Sequence, residues 1–142
     1  MSSNLNNLLA AYRRTSYTAV TPLGTLVLRI GEHHQAMDAL LSAHQAKDWA
    51  YLTAWNPGSH PLSLADNQQR QATLEQALRH RAYSIYPGFG QPDPEQDSHW
   101  TAEASVLVIG IPFAAAHTLA QRFGQCAFVH GQRGGIAQLV QV

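Results

Sequence analysis

Glu103, Asn56, Ser59, Asn67, Arg70 and Gln125 are the side chains of this sequence placed to do chemistry, because most of them stand where an apolar segment begins or ends. Glu103 opens a run, Ser105 to Ile111, of the apolar and β-branched type that fills a strand buried on both faces. Desolvation there raises a carboxyl pKa and makes the group a candidate general acid or base; the alternative is an exposed strand-end carboxylate. Asn56-Pro57-Gly58-Ser59 follows another apolar run and presents two polar side chains and backbone amides to a ligand, or else forms a tight turn with an Asx cap. Asn67 falls on a helical stripe with Leu64, Gln71, Leu74 and Leu78, and an amide on a buried face must find partners. Those partners are either the backbone of the Asn56–Ser59 segment or a bound substrate. Arg70 is the candidate anion anchor.

Other chemistries lack their residues. Gly88-Phe89-Gly90 suggests positive φ or close backbone approach, but no GK[ST] or strand-GxGxxG-helix arrangement makes it a phosphate loop. Eight histidines include no HExxH, and His33 and His34, adjacent on a helix, cannot face one ion together, so no metal or cofactor is expected. Ser105 has no nucleophile-elbow context, and Cys126 sits in an apolar strand segment where a thiol packs inertly.

The elements that must position these groups follow from composition and periodicity. The chain has 142 residues, 45% hydrophobic and 13% charged, which suits one α+β domain spanning 1–142, with residues 1–15 as a loosely attached N-terminal helix. Nine basic residues balance nine acidic ones, which argues against a general nucleic-acid binder; Arg13, Arg14, Arg79 and Arg81 read as solvated helix ends. With no leader-like start and no apolar run of the ~18 residues that span a bilayer, the expectation is a cytoplasmic protein without a membrane partner.

In chain order, Ser3 caps a helix carrying Leu5, Leu8, Leu9 and Tyr12, and Tyr17–Thr21 and Thr25–Ile30 make a hairpin about Pro22-Leu23-Gly24. Ala36 to His44 is an amphipathic helix, and Trp49 to Trp55 a strand of alternating large and small residues. Ser63 caps the helix of the Asn67 stripe, with Asp66 three residues on. Ala82–Tyr86 is a short strand, and Pro87 to His99 a loop without periodicity. After the Glu103 strand, Pro112 opens a helix that Gly124 closes, and Cys126–His130 and Ile136–Val142 form a last hairpin. The sum is a mixed, mostly antiparallel sheet with about four helices.

Thr53-Ala54-Trp55-Asn56-Pro57-x-Ser59, Leu62-Ser63 with Asn67 and Arg70, Pro87-Gly88-x-Gly90, Trp100 with Glu103 and Ser105, and Phe123-Gly124-Gln125-x-Ala127 together resemble the bacterial family catalogued as domain of unknown function 3293. The resemblance runs from about residue 16 to 140 and implies a bacterial cytosolic protein without naming an activity. The family pattern has two adjacent acids after the tryptophan; here Ala102 leaves Glu103 alone.

The reading that joins these signals is a site for a small polar or anionic ligand at one sheet edge. It comprises Asn56, Ser59, Asn67, Arg70, Gly88, Gly90 and Gln125, with Glu103 as the acid/base group if the protein is catalytic. The rival is a protein-interaction module that presents Trp49, Tyr51 and Trp55 as an exposed face.

Overall fold

The computed structural model describes residues 2–142, with side chains from Leu5 onward, so the expected Ser3 side-chain cap lies outside the described side chains. Helix α1 (Ser2–Arg14) leads into strands β1 (Ser16–Thr21) and β2 (Gly24–Leu28), then helix α2 (Gln35–Ala43) and strand β3 (Asp48–Leu52). A short turn over Pro57–Ser59 precedes helix α3 (Leu64–His80), strands β4 (Ser84–Gln91) and β5 (Glu103–Ile109), helix α4 (Phe113–Arg122), and strands β6 (Ala127–Gln132) and β7 (Gln138–Gln141). The seven strands form one sheet in the order β2-β1-β4-β5-β3-β6-β7, and every pairing is antiparallel. The α+β class with four helices holds.

β3 and β5 are the central strands because both of their faces can be buried. On one face Trp49 and Tyr51 of β3 join Leu107 and Ile109 of β5, under Met37, Leu40 and Leu41 of α2. On the other, Ala50, Leu52, Val106 and Val108 pack beneath Leu74 and Leu78 of α3 and Ala116 and Leu119 of α4. The period-two alternation of a strand places the two sets on opposite sides, and the helices close each side. Trp49 and Tyr51 are thus core residues, 2% and 4% exposed, and do not form the exposed aromatic face that their spacing suggested. An alternation of large and small residues marks a strand with two different faces, but not which face meets solvent.

β4 is longer than its sequence suggests. Residues Pro87 to Gln91 continue the ladder with β5, Pro87 opposite Val106 and Gly90 opposite Glu103. The missing N–H of Pro87 is tolerated because β1 pairs with β4 only from Gly88 to Gln91, so at Pro87 the outer side of β4 has no partner to receive it. Gly88 is required for another reason: a Cβ there would overlap the carbonyl of Thr18 on β1. The loop therefore shrinks to the residues between β4 and β5, and it is tied down where Arg14 of α1 holds both carboxylate oxygens of Asp97, at 2.9 and 2.7 Å. Among the described residues, no helix is long and apolar enough to cross a membrane.

Candidate functional site

The chain leaves β3 through Thr53-Ala54-Trp55 and reverses at Asn56, whose backbone is left-handed (φ 45°, ψ 67°), as are Gly58 (φ 63°) and Ser59 (φ 62°). Such a turn persists only where surrounding contacts over-determine it. Asn67 supplies them: its Oδ1 accepts the Asn56 N–H at 2.8 Å, and its Nδ2 donates to Asn56 Oδ1 at 2.7 Å and to the Leu62 carbonyl at 3.4 Å. Ser63 caps α3 by accepting the Asp66 N–H, which starts the helix where Asn67 comes to face the turn.

From the other side comes the end of α4. Gly124 (φ 72°) is its left-handed residue: Gln125 N–H bonds Ala120 O and Gly124 N–H bonds Gln121 O, the two bonds of a Schellman motif. This motif docks on the turn. Gly58 N–H donates to Gly124 O at 2.7 Å, and a Cβ on Gly124 would come within 2.9 Å of Pro57 Cβ. Gln125 Nε2 donates to Trp55 O at 3.2 Å. Arg70 bridges the two, its Nε donating to Ala54 O at 2.9 Å and one terminal nitrogen donating to Phe123 O, with its guanidinium over the Phe123 ring.

These bonds leave the turn no free amides to offer a ligand. Asn56, Gly58, Ser59 and His60 N–H groups all have protein acceptors, and Pro57 has no N–H. What the knot presents outward is one donor, Asn56 Nδ2, 3.4 Å from Glu103 Oε2.

Glu103 lies on the α2 face of the sheet, beyond the reach of α2, where a cleft of about 80 Å³ opens. Tyr17, Tyr51 and Thr53 wall it together with Ser105, two residues on from Glu103 and on the same face of β5. Ala127 and Val129 close it from β6, while Tyr12 of α1 and Trp100 of the β4–β5 loop cover it. Burial pushes the Glu103 carboxyl up to about 7, against a smaller lowering by the Asn56 hydrogen bond. Burial likewise raises Tyr12 to about 12 and raises Tyr17 and Tyr51, so all three phenols are neutral at physiological pH.

Of the residues expected from the sequence, Glu103, Gln125 and Gly90 line this cleft, and Asn56 reaches it through Glu103. Asn67 and Arg70 stand behind Asn56 and bond protein atoms. Ser59 meets the Tyr12 hydroxyl at 3.4 Å and lines a neighbouring groove beneath α1. Gly88 serves the β1–β4 contact. Tyr12, Tyr17, Tyr51 and Thr53 are wall residues that sequence reasoning missed. The parity of Glu103 with Ser105, and of Tyr51 with Thr53, was the available signal, useful once β3 and β5 are known to be neighbours. Among the described residues, no three His, Cys, Asp or Glu side chains cluster as metal ligands would.

The segment that builds the turn, the knot and most of the cleft, residues 52–128, matches the family model described as protein of unknown function (DUF3293), over more than half of the chain. The chain belongs to the DUF3293 family. The matched span is narrower than residues 16–140: it omits α1, β1, β2, α2 and β7, and holds only the last residue of β3 and the first two of β6. No curated protein and no solved structure matches the chain. Within this DUF3293 protein, the residues that carry the family resemblance divide in two: Pro57, Asn67, Arg70 and Gly124 bind one another's segments, whereas Asn56, Glu103 and Gln125 face or touch the cleft.

Proposed function

We propose that this DUF3293 protein binds a small polar molecule in the cleft at Glu103, and that Glu103 is the group that exchanges a proton if the bound molecule reacts. The observation that carries this reading is the position of Glu103: a half-buried carboxyl with a pKa near 7, facing an open cleft and contacted by a side chain from a strained turn. A carboxyl poised there is divided between acid and base at neutral pH, as proton transfer in either direction requires. The surrounding knot supports the same reading, since it fixes the donor that meets the carboxylate.

The test is a thermal-shift screen of small amines, alcohols, carboxylates and nucleosides against the wild type and Ala127→Trp, whose indole would fill the cleft. A compound that stabilises the wild type and not the blocked variant supports the site. Compounds that stabilise both equally contradict it.

A protein-interaction role is a second reading, but on a different surface from the buried Trp49 and Tyr51. Val20, Val27 and Phe89 are 59%, 52% and 51% exposed. Thr18 on β1 pairs with both Val27 and Phe89, which places those two side chains in one cross-strand row, with Val20 two residues along β1 on the same face. Loss of self-association or partner binding on Val27→Lys with Phe89→Lys would favour it.

A further inference from the structure

Resting on the cleft reading above, we infer that the ligand is a small organic cation, a protonated amine or guanidine, and not an anion. Four hydroxyls of the cleft wall are hydrogen-bond acceptors whose own protons are already committed. Tyr17 donates its hydroxyl proton to Tyr12 O at 2.8 Å, and Tyr51 donates to Thr18 O at 2.7 Å. Thr53 donates to Ala104 O at 2.8 Å, and Ser105 to Glu103 O at 3.1 Å. A hydroxyl has one proton, so each of these oxygens can offer only lone pairs to a guest.

Gln125 adds to the pattern. Its Nε2 donates to Trp55 O and Phe123 O, which leaves Oε1 as the end of the amide without a protein donor among the described residues. The Glu103 carboxylate accepts a single long bond, 3.4 Å, from Asn56. Among the described residues, no lysine, arginine or histidine lines the cleft. The two nearby arginines are occupied, Arg70 by Ala54 O and Phe123 O and Arg14 by Asp97. An anion would face the Glu103 carboxylate and these lone pairs, with only neutral donors such as the Asn56 amide, the Tyr12 hydroxyl and the Trp100 indole to offset them. A cation with several N–H donors would find a partner for each, and the rings of Tyr12, Tyr17, Tyr51 and Trp100 add faces that attract positive charge.

Size bounds the guest. At about 10–15 Å³ for each water-sized occupant, a volume of about 80 Å³ holds roughly five to eight non-hydrogen atoms. Benzylamine is a probe of that size, with benzyl alcohol and benzoate as its neutral and anionic counterparts.

The experiment follows the Trp100 indole and tyrosine ring signals by NMR while each probe is titrated into the wild type and Glu103→Gln at pH 5 and pH 8. Glu103 carries the pH dependence. The other titratable groups on the cleft are Tyr12, Tyr17 and Tyr51, which stay neutral across this range, and Asp97, which Arg14 keeps ionised; His99 stands just outside, its ring 5.7 Å from that of Trp100, and comparison with Glu103→Gln separates its effect. Benzylamine remains protonated throughout. The expected result is that benzylamine shifts the cleft signals, binds about tenfold or more tightly at pH 8 than at pH 5, and loses that advantage in Glu103→Gln, while benzoate shifts nothing. Benzoate or benzyl alcohol binding as well as benzylamine would overturn the cationic class and leave the cleft reading standing. Cleft signals that none of the three probes moves would overturn both. If Glu103→Gln folds poorly, His99→Ala decides the matter: the pH dependence persists there if Glu103 carries it and is lost if His99 does.

Discussion

Asn56 Nδ2 and Glu103 Oε2 meet at 3.4 Å although 47 positions separate them, and Asn56 makes the contact from a left-handed backbone. The two sides of this contact are built differently. Glu103 is carried by a central strand paired on both sides, and Asn56 by a turn pinned by the Asn67 side chain and by backbone bonds such as Gly58 N–H to Gly124 O.

Asn67→Ala therefore removes the pin of that turn. The Asn56 N–H and Oδ1 lose their buried partner, which is expected to cost about 1–3 kcal/mol in urea unfolding. A loss of a few tenths would mean that water replaces the amide freely.

Arg70→Ala should also destabilise, by about 2 kcal/mol, because a charged donor is lost from two backbone carbonyls that join β3 to the end of α4. Arg70→Lys should not restore it, since one ammonium cannot reproduce the fork that spans Ala54 O and Phe123 O. Full stability of Arg70→Lys would show that charge alone suffices there.

Gly124→Ala combines a left-handed φ of 72° with an approach of 2.9 Å to Pro57, and so is expected to cost more than the ~1 kcal/mol typical of the backbone effect alone. Gly134→Ala is the control: its φ of 82° is similar but its Cβ would meet nothing within 4 Å. Equal losses at the two sites in chemical denaturation would count against the docking of α4 on the Pro57 turn.

Much of this was legible in the sequence. Ser63 before an amphipathic run and Gly124 after one mark true helix ends, because capping is a local affair. Asn67 on an apolar stripe marked an amide in need of partners, with the Asn56–Ser59 segment and a bound substrate both open, and Asn56 supplies them. Residues 87–91 were harder. Proline and two glycines read as a loop, yet Pro87 sits where β4 lacks one neighbour and Gly88 where β1 passes too close for a side chain. Both reasons are tertiary. The cleft walls come from α1, β1, β3 and β5, so no local pattern could assemble them. Arg70 looked like a free cation for the same reason, as its acceptors are distant backbone carbonyls.

The pH dependence of stability follows from Glu103. Its pKa is raised in the folded protein, so the native state binds the extra proton between about 4.5 and about 7, and stability falls as pH rises through that window. At about 1.4 kcal/mol per pH unit the full effect is on the order of 3 kcal/mol. Glu103→Gln should abolish this slope, leaving the variant more stable than the wild type at pH 8 and equal to it near pH 4. A variant less stable at pH 8 would mean that the ionised carboxylate is itself a stabilising contact.

The most direct measurement is the titration of the Glu103 side-chain carboxyl by carbon-13 NMR in the ligand-free protein, with Glu103→Gln used to assign the signal. The expected midpoint is near 7, because the carboxylate is half-buried with one long hydrogen bond and no cation beside it. A midpoint at the ordinary glutamate value of about 4.3 would show a solvated strand-end carboxylate and would contradict the cleft as a site of proton transfer or cation binding.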